Sequence, residues 1–128
     1  MSKRVLIVDD SMLMRKMIVD ILTDDGWTVA GEAGGGQEAV AKYVELQPDV
    51  VTLDIVMPGT DGMYALQNIL RFDPLAKIIV VSALSQTKLI SEAIRKGAAD
   101  FIVKPFLPEQ LQECLQLGAC GQAAGAGV

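Results

Sequence analysis

Four short apolar runs, each stopped abruptly by a polar residue, constrain this chain more than any other feature. Val5-Leu6-Ile7-Val8 ends at Asp9-Asp10, and Val50-Val51-Thr52-Leu53 ends at Asp54. Ile78–Val81 ends at Ser82, and Phe101-Ile102-Val103 ends at Lys104-Pro105. Runs of this length without polar alternation read as strands covered on both faces, and such strands belong to parallel sheets. In an open parallel sheet, ligands gather beyond the carboxyl ends of the strands, where the strand order reverses. If three strands deliver Asp9, Asp10, Asp54 and Lys104 to one crevice, that crevice can hold a divalent cation and a phosphoryl group.

Between the runs lie helical patterns. Ser11 is placed to cap a helix whose inner stripe is Met14, Met17, Ile18, Ile21 and Leu22, ended by Asp24-Asp25-Gly26. Thr28–Ala33 reads as a more exposed edge strand. A second helix carries Ala39, Val40, Tyr43, Val44 and Leu46 and stops at Gln47-Pro48. Met57-Pro58-Gly59-Thr60-Asp61-Gly62 is turn chemistry, followed by a helix with Ala65, Leu66, Ile69 and Leu70. A fourth helix, about Gln86 to Lys96, closes at Gly97, and Pro108 suits the first turn of a fifth. Strand and helix alternate five times, which calls for right-handed crossovers and one parallel sheet.

The chain has 128 residues, the size of a single domain. No apolar run approaches the roughly 18 residues of a membrane span, and Met1-Ser2-Lys3-Arg4 leads straight into a strand. The expectation is a soluble cytoplasmic protein. Eleven Lys and Arg against sixteen Asp and Glu, a net charge of −5 without a basic stripe, argue against nucleic-acid binding. Cys114 and Cys120 fit no metal spacing and are expected to be reduced. Histidine is absent, so the commonest general base is missing.

In order, Asp9-Asp10, Asp54, Met57-Pro58 with Asp61-Gly62, Ser82 and Lys104-Pro105 resemble the receiver domain of two-component response regulators. The resemblance runs from Val5 to about Leu117. It implies a single-domain, doubly wound (βα)5 α/β fold of flavodoxin-like type, with a parallel five-stranded sheet in the order 2-1-3-4-5. Residues 1–117 would form the receiver and 118–128 a flexible C-terminal tail.

The resemblance implies a switch, not an enzyme with a separate substrate. Asp54 would take a phosphoryl group from a sensor histidine kinase, with Mg²⁺ held by Asp9, Asp10, Asp54 and the backbone carbonyl of Val56. A carboxylate attacking phosphorus needs no general base, because it is ionised at neutral pH. Lys104 would neutralise charge on the phosphoryl oxygens, and Ser82 would hydrogen-bond the new group. Phe101 would then move inward, altering the face made by the fourth helix, fifth strand and fifth helix, where a downstream target protein binds. A phosphatase is a further partner, and the role implied is that of a stand-alone chemotaxis-type regulator. Val56 and Leu84 are apolar where relatives often carry polar groups beside the pocket, which implies slow loss of phosphate.

Other readings compete. Gly34-Gly35-Gly36-Gln37-Glu38-Ala39 matches a dinucleotide fingerprint, although at a predicted sheet edge. A small phosphatase using an aspartyl-phosphate intermediate is a second alternative, and the receiver segment of a longer regulator such as a methylesterase is a third. Met12 and Leu13 beside the acidic pair could form an exposed patch for a kinase or phosphatase.

Overall fold

A computed structural model of the chain describes residues 3–57 and 62–117. Five strands, β1 (Arg4–Val8), β2 (Thr28–Ala33), β3 (Val50–Asp54), β4 (Ile78–Ala83) and β5 (Asp100–Lys104), alternate with five helices. These are α1 (Met12–Asp24), α2 (Gly36–Leu46), α3 (Gly62–Phe72), α4 (Thr87–Arg95) and α5 (Pro108–Leu117). The sheet is parallel throughout, in the order β2-β1-β3-β4-β5. The expected flavodoxin-like order is therefore the observed one, and the expected tail, 118–128, lies outside the described residues.

Side-chain alternation along each strand divides the core in two. Leu6, Val8, Val51, Leu53, Ile78 and Val80 pack with Ala39 and Tyr43 of α2, Leu66 and Ile69 of α3, and Ala93 of α4. Val5, Ile7, Val50, Ile79, Val81 and Ile102 pack instead with Ile18 and Leu22 of α1 and Leu111, Cys114 and Leu115 of α5. The central strands are apolar on both faces because both faces are covered.

Helix ends follow local chemistry. Ser11 caps α1, its side chain accepting the Met14 N–H. Gly26 (φ +89°) and Gly97 (φ +120°) follow α1 and α4 in left-handed conformations that suit glycine. A 3-10 turn over Leu84–Gln86 precedes α4, so this helix starts one residue later than its periodicity suggests. Met17 and Val44, read as inner positions, are exposed because they sit at the margin of their helical stripes. Cys114 is disulfide-bonded and not a reduced thiol, which corrects that expectation; Cys120 lies outside the described residues.

β2 carries one extra residue relative to β1. The pairing runs Val5 with Val29 and then Leu6 with Gly31, leaving Ala30 as a bulge.

Candidate functional site

The same alternation decides which end-of-strand side chains meet. Ile7, Thr52 and Ile102 each lie two residues before Asp9, Asp54 and Lys104, so the three polar groups emerge on the face shared by α1 and α5. Lys104 Nζ lies 3.0 Å from Asp9 Oδ2 and 3.5 Å from Asp54 Oδ2. Asp9, Asp10 and Asp54 each offer a carboxylate oxygen, and these oxygens all fall within 4.8 Å of one another. Residues far apart in sequence are thus gathered at the junction of β1, β3 and β5.

Backbone amides fix two of the acids. Asp9 Oδ1 accepts the Ser11 N–H at 2.9 Å, and Asp54 Oδ1 accepts the Val56 N–H at 3.0 Å. Both residues are buried, Asp9 at 1% exposure and Asp54 at 8%, whereas Asp10 is exposed. Burial raises the pKa of the Asp54 carboxyl. The Val56 N–H and the Lys104 ammonium pull it back down, and the charges of Asp9 and Asp10 push it up again.

A hard divalent cation suits this donor set. Three converging carboxylates concentrate negative charge, and Lys104 beside them pairs with Asp9 and Asp54. The Lys104-Pro105 bond is cis.

Ser82 and Phe101 lie on the other face. Val81 pairs with Asp54 across the β3–β4 ladder, so the next residue, Ser82, turns toward the α3 and α4 side with Val80. The Ser82 hydroxyl is buried and has no hydrogen-bond partner among the described residues. Phe101 pairs with Val80 and is half-buried against the same cluster, beside which Leu89 of α4 also packs. Val56 stands at the rim, 45% exposed. The Leu84 side chain and residues 58–61 of the β3–α3 loop lie outside the described residues.

A groove of about 320 Å³ opens nearby, lined by Ile55, Val56, Met57, Met63, Leu89 and Glu92. It contains none of the three clustered acids, so charge and not concavity marks the site.

Two contacts at the site were not legible in the sequence. Gly62 reads as turn chemistry, but a Cβ there would come 2.5 Å from the Ile55 Cα and 2.6 Å from the Asp54 carbonyl oxygen. It lets the start of α3 press against the end of β3, and its N–H donates to the Ile55 carbonyl at 3.1 Å. Arg15, in the second turn of α1, donates from Nη1 to the Asp9 carbonyl oxygen at 2.6 Å. A spacing of six residues gives no sequence signal for that contact. The glycine run 34–36 joins the end of β2, at the sheet edge, to the start of α2, and contributes none of the clustered carboxylates.

A family model described as the response regulator receiver domain matches residues 5–116. A chemotaxis protein CheY of Thermotoga maritima is 56% identical over 115 residues, covering 90% of this chain and 96% of the relative. A protein-glutamate methylesterase/protein-glutamine glutaminase of Syntrophomonas wolfei is 50% identical over 106 residues, but those are 80% of this chain and only 30% of that protein. Among solved structures, the CheX-CheY-BeF3-Mg complex of Borrelia burgdorferi superposes with a TM-score of 0.83. It is 42% identical and covers 89% of this chain and 87% of that one.

Proposed function

From the premise that this chain belongs to the response regulator receiver domain family and is a CheY-like phosphoacceptor switch of chemotaxis two-component signalling, we propose that Asp54 is the phosphoryl acceptor. The observation that carries this reading is the convergence of three carboxylates and one ammonium at the ends of β1, β3 and β5. Asp54 is the member of that group that lies on the central strand, buried but reachable. A carboxylate oxygen of Asp54 forms a bond to phosphorus as the P–N bond of a donor phosphohistidine breaks. The donor imidazole leaves with that electron pair, and the product is an acyl phosphate.

Receiver domains bind Mg²⁺ at an acidic pocket, and here Asp9, Asp10, Asp54 and the Val56 backbone carbonyl would hold it. Bound there, it supplies positive charge to a transition state whose phosphoryl oxygens are electron-rich. Lys104 adds a second cation on the Asp9 side, released from its carboxylate partners to pair with the phosphoryl group. Attack needs no proton removal, in keeping with a chain that lacks histidine.

The response falls to Ser82 and Phe101. The hydroxyl at the end of the neighbouring strand, without a partner among the described residues, gains a charged one when phosphate arrives, and a charge-assisted hydrogen bond of this kind is worth about 1–3 kcal/mol. That difference favours a conformer in which Phe101 packs inward, and the face of α4, β5 and α5 changes for a target protein. A sensor histidine kinase is the donor and a phosphatase a further partner. The setting is the cytoplasm, and no helix among the described residues is long and apolar enough to cross a membrane.

The test is intact mass after mixing with acetyl phosphate and Mg²⁺. The native chain gains one phosphate and Asp54→Ala gains none. A gain of equal size in both would remove Asp54 from the role.

A further inference from the structure

The Asp9–Asp10 pair is held from behind. Arg15 Nη1 donates to the Asp9 carbonyl oxygen at 2.6 Å, and Arg15 Nε donates to Glu32 Oε1 at 3.1 Å. The Arg15 side chain is 16% exposed. The Asp9 carbonyl belongs to the peptide that joins Asp9 to Asp10. Because that peptide is planar, fixing its oxygen also fixes the direction in which the Asp10 Cα leaves. On the other side, the Asp9 N–H donates to the Ala33 carbonyl at 3.0 Å. Asp10 is exposed, so the aim of its carboxylate depends on the backbone that carries it.

Arg15 is itself seated by β2 and α2. Glu32 on β2 takes its Nε, and the Lys42 ammonium donates to the Glu32 carbonyl oxygen while pairing with Glu38 Oε2 at 3.3 Å. Glu38 Oε1 accepts the Gly34 N–H at 2.8 Å. A Cβ on Gly34 would lie 3.4 Å from Arg15 Nη1, so this glycine lies directly against the guanidinium. The first glycine of the run that mimics a nucleotide fingerprint is thus part of the seat of Arg15.

We propose that Arg15 is a positioning residue for cation binding, clamping the Asp9–Asp10 peptide so that both carboxylates face Asp54. The inference rests on the reading that Asp9, Asp10 and Asp54 hold Mg²⁺. Two effects of Arg15 have opposite signs, which makes the proposal decidable. As a positive charge near the site it opposes a cation, with Glu32 offsetting part of that repulsion. As a clamp it favours the cation by orienting its ligands. Lysine at this position keeps the charge but lacks the planar fork that reaches Asp9 and Glu32 together.

The experiment is calorimetric titration of the metal-free chain with MgCl₂ at fixed ionic strength, for the native protein, Arg15→Met and Arg15→Lys. Metal-free melting checks that each variant folds. Arg15→Met is expected to bind Mg²⁺ roughly 10-fold more weakly, in line with loss of an outer hydrogen-bond partner at a metal site. Arg15→Lys is expected to recover only part of that loss. In metal-free NMR spectra the Asp10 amide should shift in both variants, which a residue that merely stabilises α1 would not cause. Mg²⁺ binding by Arg15→Met as tight as or tighter than native overturns the clamp. If that variant does not fold, native affinity in Arg15→Lys overturns it equally. A native chain that takes up no Mg²⁺ overturns the reading of the site itself, and this inference with it.

Discussion

The two faces of the sheet end very differently at the same rim. On the α1 and α5 side, Asp9, Asp54 and Lys104 form a closed set of ion pairs and backbone hydrogen bonds. On the α3 and α4 side, Ser82 keeps a buried hydroxyl without a partner among the described residues, and Phe101 is half-buried against the core. A satisfied polar cluster is rigid and defines a geometry, whereas an unsatisfied group has free energy to gain from any new acceptor. On the proposed reading, chemistry belongs to the first face and response to the second.

The partition breaks most severely at Gly62, where the start of α3 meets β3. Gly62→Ala would force a Cβ against backbone atoms of Asp54 and Ile55, which cannot yield as a side chain can. A loss of about 3 kcal/mol is expected, read as a lower urea midpoint. Lys104→Met tests the charged face. It leaves Asp9 and Asp54, two buried carboxylates, without their ammonium, and should cost about 2 kcal/mol in metal-free solution. Added Mg²⁺ should restore part of that stability; a variant as stable as the native chain with EDTA present would show that the ion pairs carry no weight.

A pH series sharpens the same face. The folded Asp54 pKa is raised above its unfolded value, mainly by burial. The protonated form is therefore favoured by folding at low pH, and this contribution is lost as pH rises through the raised pKa. In metal-free solution Asp54→Asn should be more stable than the native chain at neutral pH, and the gap should close on acidification. A gap that widens toward low pH would reverse the sign assigned to burial.

Ser82→Ala probes the response face with the smallest effect. Removing an unpartnered hydroxyl should leave the unphosphorylated protein unchanged or up to about 1 kcal/mol more stable. The same variant should lose phosphorylation-dependent binding of a target while still accepting phosphate, measured by mass and by pull-down side by side.

Much of this was legible in the sequence, for a local reason. Buried strands announce themselves by unbroken apolar runs, and the residue that ends each run is the residue delivered to the rim. Asp9, Asp54, Ser82 and Lys104 were found that way. Gly62 and Arg15 were not, because what defines them is a contact made only after folding. Gly62 meets the backbone of Ile55, and Arg15 meets the Asp9 carbonyl and Glu32. The glycine run mimics a nucleotide fingerprint for the same reason: its pattern is local, while its partners, Arg15 and Glu38, are fixed by packing. Cys114 was misjudged because spacing says nothing about covalent pairing.

The bulge at Ala30 has a reach beyond its strand. Because one residue is skipped, Val29 and Glu32, three positions apart, both align with β1 residues that face α1. Deleting Ala30 would invert the facing of everything on one side of the lost residue, sending either Glu32 toward α2 or Val29 out of its core. A frame of one amino acid on an edge strand thus decides whether Arg15 has an anchor. Length variation here would reach the acidic pair at the rim without changing a single residue in it.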